Sequence, residues 1–371
     1  MRKTVLFIIT FFTFSAIKIY GEGSDSTASK SRDSAIIKIS GYVDVYYAKY
    51  TDSVGVGNFQ QFPSVDPRSN TFGLDHAMIT AQYDGDKYRG IVSLCVGDIM
   101  QSAWASKDQN VMEAHAGIRL GKKFWLDGGF FRTHTGAEGL LPKENITSCI
   151  SISTVYEPYY EAGLRLNYKP TDNWDINLFV LNGYNIYVDN NNKKSLGFLA
   201  TYAFNDNTNI GYDNYIGDDT PTPADTISHV RIFQNIFFNT QIDNLKIQFG
   251  WDYFFQQNSN IIYNNQTVWA YTGVLSFKEQ IRKKFAVYMR GEWFNDPEGI
   301  VAGIITDKNN YLTGYKLYGF TGGLEYKPTD NSYIRLEGRK LQMDKDQEIY
   351  YWNGEKRNYR LEMLINMGVS F

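Results

Sequence analysis

The chain has 371 residues, of which 43% are hydrophobic and 16% aromatic, with 28 Tyr and 24 Phe against only 9 Pro. That length exceeds one ordinary two-layer domain and is short for three. The formal charge is −3, and −6 once the positive charges of Arg2, Lys3 and Lys18 near the N-terminus are set aside; with no basic run and no phosphate loop, nucleic acid is excluded as a partner.

The opening "MRKTVLFIITFFTFSAIKIYGEGS" reads as a secretory signal peptide over residues 1–21. A basic start precedes an apolar core from Val5 to Ile17, too short to span a bilayer as a helix, and Gly21 is the expected last residue before cleavage. Residues 22–35 are small and polar and are expected to form a flexible periplasmic tail. Only Cys95 and Cys149 occur, so no disulfide framework exists, and whether the two pair is left open.

From residue 36 to 371 the dominant period is two, the signature of strands whose successive side chains point to opposite faces. About sixteen such ribbons follow, centred near Val43, Ile79, Leu94, Ala116, Leu126, Leu164, Leu178, Leu199, Tyr212, Ile232, Phe249, Gly273, Val287, Gly322, Leu336 and Ile365. In the last, "YRLEMLINMGVSF", one face is apolar from Tyr359 to Phe371, while Arg360, Glu362 and Asn366 share the other with Leu364 as the exception.

The connections alternate between short and long. Short ones include "DGDK", "GKK", "NDNT", "IDN", "KEQIRKK" and the pentapeptide "KPTDN", which occurs twice, at Lys169–Asn173 and Lys327–Asn331. Their Gly, Pro, Asp and Asn suit tight turns. Long connections lie between them, as at Thr51–Thr71, His134–Glu157 and Asn295–Gly314. Strict alternation of this kind fits an all-β, antiparallel, up-and-down transmembrane β-barrel, with short periplasmic turns and long outer loops. Both "KPTDN" copies then lie on the same side.

The polar faces carry charge of both signs: Glu113, His115 and Arg119; Glu161 and Arg165; Asp252; Arg290 and Glu292; Arg335, Glu337 and Arg339. Such groups cannot face hydrocarbon, so they are the candidate pore-lining residues, as a plain solvated wall or as an ion-selecting constriction. Trp174, Trp251, Tyr253, Trp269, Tyr271, Trp293, Tyr326 and Tyr359 suit aromatic girdles at the membrane interfaces. The third long loop contains Leu140, Leu141, Ile146, Ile150, Ile152 and Val155, an odd composition for an exposed loop. It is expected to fold into the barrel, against the alternatives of a hairpin above the rim or an extra strand pair.

Catalytic signals are weak. His76, His115, His134 and His229 lack metal-ligand spacing, no nucleophile elbow occurs, and His134 reads as a polar rim histidine. No cofactor, catalytic residue or metal ligand is expected.

The stretches "ISGYVDVYYAKY" and "NTFGLDHAMITAQY", with the terminal "MGVSF", resemble the OmpL-like β-barrel porins, a family found largely in Bacteroidetes-type bacteria. The resemblance implies an outer-membrane barrel passing small solutes, and a terminal Phe371 read by the barrel-assembly machinery. The expected function is passive diffusion of small hydrophilic solutes or ions through a water-filled lumen. Outer-membrane lipid is the expected surrounding, and a homo-oligomer stays open. Two other readings compete: a barrel with a blocked lumen and adhesive or structural loops, and a soluble secreted carbohydrate-binding β-protein. A TonB-dependent transporter needs 22 strands and a plug, more than this chain can supply.

Overall fold

The computed structural model describes residues 37–371, apart from 53, 56, 61–65, 222–226 and 264. The expected signal peptide and tail therefore lie outside the described residues.

Sixteen strands close into one antiparallel barrel. They are β1 (Ile37–Tyr50), β2 (Thr71–Asp84), β3 (Tyr88–Val96), β4 (Val111–Gly121), β5 (Phe124–Arg132), β6 (Tyr160–Tyr168), β7 (Trp174–Leu181) and β8 (Ser195–Asn205). The second half comprises β9 (Thr208–Gly217), β10 (Arg231–Ile242), β11 (Leu245–Gln256), β12 (Val268–Arg282), β13 (Phe285–Asp296), β14 (Tyr315–Tyr326), β15 (Ser332–Met343) and β16 (Tyr359–Ser370). Each centre expected from the sequence falls inside one of these strands. Each strand pairs with its chain neighbours, and β1 pairs with β16 to close the sheet. Closure is completed by reciprocal backbone hydrogen bonds between Gly41 and Phe371, at 2.7 and 3.0 Å. A closed sheet satisfies every ladder donor and acceptor, which is what a lipid environment demands.

The turns sharpen the sequence reading. "KEQIRKK" shrinks to Lys283 and Lys284, because β12 runs on to Arg282 and β13 starts at Phe285. The two "KPTDN" turns make the same hydrogen bonds. In each, the Thr carbonyl accepts from the residue three positions on, Trp174 or Ser332. The Lys amide donates to a lysine carbonyl of the preceding turn, Lys123 or Lys284, and the Asn carbonyl accepts from the next strand, at Ala203 or Ser370. Both copies sit at the barrel end that also holds the chain terminus.

Burial is inverted relative to a soluble protein. On β16, Arg360, Glu362 and Asn366 are buried, whereas Leu361, Met363, Ile365, Met367 and Val369 are exposed. Leu364, the exception in the sequence pattern, points inward and packs with Tyr46, Ala48, Tyr50 and Cys149. An all-round apolar surface with charge inside requires a lipid solvent. This overturns the soluble carbohydrate-binding alternative. Aromatic rings band both edges of that surface. Trp251, Tyr271, Trp293, Tyr253 and Trp269 form a chain of contacts toward the loop end. The pairs Tyr83–Tyr88, Phe124–Tyr168, Trp174–Tyr202 and Phe285–Tyr326 mark the turn end.

Candidate functional site: an inward loop and a charged strip

The loop from Thr133 to Tyr159 lies inside the barrel. Leu140, Leu141, Ile146, Ile150 and Ile152 are all buried. A loop so apolar cannot stand in water, and once inside, its backbone needs partners. The wall supplies them. Arg290 on β13 donates to the carbonyls of Cys149 and Ile150 and to the Thr147 hydroxyl. Arg335 on β15 donates to the carbonyls of Pro142, Asn145 and Thr147 at 2.8–3.1 Å. Glu337 accepts the amides of Ser148 and Cys149, and Glu292 accepts that of Ile152 at 2.7 Å. Ser151 then caps the short helix α1 (Ile152–Tyr156) through the Thr154 amide. Farther along, Ser153 binds Asp252 and Thr272, and Gln248 donates to the Ala137 carbonyl at 2.7 Å.

These contacts sort the eleven residues singled out from sequence. Glu161, Asp252, Arg290, Glu292, Arg335, Glu337 and Arg339 are buried. Arg290, Glu292, Arg335, Glu337 and Asp252 grip the loop. Arg339 makes a two-pronged pair with Glu292, both bonds at 2.9 Å. Glu161 accepts from His134 at 2.8 Å, and the other ring nitrogen of His134 lies 2.8 Å from the Asn214 carbonyl. His134 is therefore a buried tether at the start of the loop and not the rim histidine expected from its position at a strand end. Its partners lie on β6 and β9, which the local sequence does not reveal. Cys95 and Cys149 are both free and buried.

The remaining four lie on the sector of wall that the loop leaves uncovered. Glu113 and His115 are paired at 2.9 Å on β4. The guanidinium of Arg119 stands 4.8 Å from the Trp125 ring, near the turn end. Arg165 on β6 bonds Asp127 at 3.2 Å. Sequence reading missed Asp127 on β5 and Arg89 on β3, although Arg89 makes the tighter pair, with bonds at 2.7 and 2.6 Å. One carboxylate thus holds two arginines side by side. Arg132, at the loop end of β5, pairs with Glu144 of the inward loop at 3.0 Å. The side chains of Arg89, Arg165, Arg132 and Glu144 are 23–34% exposed. Solvent-accessible charge therefore continues from the turn end to the level of the loop. A cavity of about 190 Å³ opens against Gln82, Asp84, Arg89, Glu113, His115 and Arg165.

Opposite this strip the interior is packed. Ile152 joins Phe294, Leu317, Leu341, Met343 and Tyr350 on the β13–β15 side. On the β3–β6 side, at the level of the loop, Leu140, Leu141 and Ile150 join Ile99, Met100 and Trp104 of the loop after β3, together with Cys95 on β3, Met112 on β4 and Ala162 on β6. The bore is thus packed around the loop, while part-exposed charge lines the β3–β6 wall toward the turn end.

The comparisons agree with this architecture. Vibrio cholerae OmpT with loop L8 deleted, an outer membrane protein, superposes with a TM-score of 0.60 at 11% identity, covering 91% of this chain and 100% of that one. OmpF of Salmonella typhi, in complex with daunomycin, gives 0.58 at 10% identity over 92% and 99%. The outer membrane channel DcaP of Acinetobacter baumannii gives 0.58 at 11% identity over 93% and 100%. These likenesses are of fold. A search of curated proteins finds no match. The family model described as "Putative beta-barrel porin-2, OmpL-like" matches residues 36–371. The chain belongs to that porin family and is an outer-membrane β-barrel.

Proposed function

We propose that the protein passes small hydrophilic solutes and ions down their gradients, along the charged strip between the inward loop and the β3–β6 wall. The observation that carries this reading is the run of part-exposed charge from Arg119 and Arg89, past Arg165 and Glu113, to the Arg132–Glu144 pair, with the buried Asp127 and His115 holding their partners in place. A polar lane leading to a packed, apolar loop offers hydrated solutes partners while the loop narrows the bore. A sixteen-stranded barrel is wide enough to leave an aqueous path beside such a loop. Lipid surrounds the outer face, and the terminal strand ending in the exposed Phe371 is the segment we assign to recognition by assembly machinery. The test is planar-bilayer recording of the purified, folded protein, with discrete conductance steps expected.

One observation favours a second reading, a barrel closed at its loop end whose outer loops serve at the surface. The long loops pack over the loop end with buried Ile300, Tyr350 and Trp104. A folded preparation giving no conductance steps would select it.

A further inference from the structure

Asp44 on β1, Asp75 on β2 and Asp66 on the connecting loop bring carboxylate oxygens within 4.8 Å of one another, and all three residues are fully buried. Like charges so close and so dry cannot all stay ionised without a cation. Among the described residues, no lysine or arginine is ion-paired with any of the three. Lys143 stands over the Tyr42 ring at 4.5 Å, and Arg335 lies 4.6 Å from the Tyr333 ring with its donors on Glu325 and the loop carbonyls.

A separate observation points to a ligand. His76 is fully buried, and neither of its ring nitrogens has a hydrogen-bond partner. Its Nδ1 lies 2.7 Å from Asp75 Oδ2, without hydrogen-bond geometry. Both side-chain oxygens of Asp66 are also without partners. Asp66, Asp75 Oδ2 and His76 thus hold lone pairs or charge that no hydrogen bond satisfies.

The backbone builds this arrangement. Asp75 is the extra residue of a bulge, since Asp44 pairs with His76 and Val45 with Leu74. The bulge turns two consecutive side chains inward, which alternation alone forbids. Gly97 makes room for it, because a Cβ there would lie 2.0 Å from the Asp75 carbonyl oxygen. Asp44 is held by the Tyr42 and Tyr333 hydroxyls and by the Asn366 amide at 3.3 Å, the outer support common around metal-ligating carboxylates.

We propose that Asp44, Asp66 and Asp75 bind one divalent cation of the Mn²⁺ or Zn²⁺ class, with the adjoining His76 imidazole turning in from beside Asp75 as a fourth ligand, fastening the first long loop to the barrel wall. Three carboxylates suit any divalent ion. The imidazole favours these two over Ca²⁺ or Mg²⁺, which take oxygen ligands. The ligands come from two strands and a loop, so no sequence spacing announces them.

The test uses tag-free, folded protein in detergent, stripped with chelator and then equilibrated with Mn²⁺, Zn²⁺ or Ca²⁺ separately. Metal content and thermal unfolding are read for each ion. About one tightly held equivalent of Mn²⁺ or Zn²⁺ is expected, with a raised unfolding midpoint. Asp66→Asn, a loop substitution, should lose both effects. Asn366→Ala, which releases Asp44 and also the Ser148 hydroxyl of the inward loop, should weaken binding by about 10- to 100-fold. Wild-type protein that holds none of these ions, or Ca²⁺ held more tightly than the other two, overturns the proposal. So does Asp66→Asn protein that binds as wild type does. The wild-type measurement decides even if a variant fails to fold.

Discussion

The carboxylate of Glu337 accepts the backbone amide of Ser148 at 2.7 Å, across 189 residues of chain. It also takes the Cys149 amide at 3.1 Å, so one acidic side chain on β15 fixes the turning point of the inward loop. Replacing it by alanine leaves two buried amides without an acceptor. Each hydrogen bond to a charged group contributes about 1.5–3 kcal/mol. Glu337→Ala should therefore lower stability by a few kcal/mol while the barrel still forms. The loop should become open to protease nicking between Lys143 and Thr154. Chemical unfolding and limited proteolysis in detergent check the two halves of this prediction.

Asp127 sets the charge of the polar lane. It is the shared partner of Arg89 and Arg165, so Asp127→Asn leaves two arginines facing the bore without a carboxylate. Reversal potentials in a salt gradient should shift toward anion preference. Arg165→Ala should shift them the other way. Equal selectivity in both variants would remove the lane from the conduction path.

Asp218, just past the loop end of β9, binds Lys193 of the neighbouring loop together with Ser228 and Thr220. Burial pushes its carboxyl up, but the lysine and the hydroxyl donors outweigh this and hold it below the ordinary value of 3.8. A depressed carboxyl contributes stability that is fully present above the unfolded value and is lost as pH falls through the lower folded one. The two loops should stay joined from neutral pH down to about pH 4 and separate only in stronger acid. Hydrogen exchange of the loop containing Lys193 reads this directly. Asp218→Asn should show the loosened pattern already at neutral pH.

Much of the barrel was legible in the sequence, because a strand exposed to lipid on one face and polar groups on the other must alternate. The sixteen strand centres and the short-long rhythm of connections follow from that single constraint. The inward loop was legible too, from Leu140, Leu141, Ile146 and Ile150 in a segment that water could not solvate. The division of labour among the charges was not. Arg119 and Arg335 look alike in sequence, yet one stands over Trp125 in the polar lane and the other is buried among loop carbonyls. That difference depends on which sector of wall the loop covers, a relation between residues more than a hundred positions apart. The pair Asp75 and His76 was hidden for the opposite reason. A bulge breaks the alternation locally, and in sequence the break reads as noise.

The twin "KPTDN" turns give a topological prediction. Single cysteines placed at Thr171 and Thr329 should behave identically toward a membrane-impermeant thiol reagent, both unlabelled from outside intact cells. The native Cys95 and Cys149 are buried and should stay silent. Labelling of either turn from outside would invert the barrel.

The inward loop, on the function proposed above, narrows a conducting bore. Single-channel conductance of the wild type beside a variant lacking residues 144–154 tests it most directly. Small discrete steps are expected for the wild type and larger ones for the deletion, with barrel folding confirmed by heat-modifiable migration on gels. Equal conductance in the two proteins, or no steps from either when folded, would contradict it.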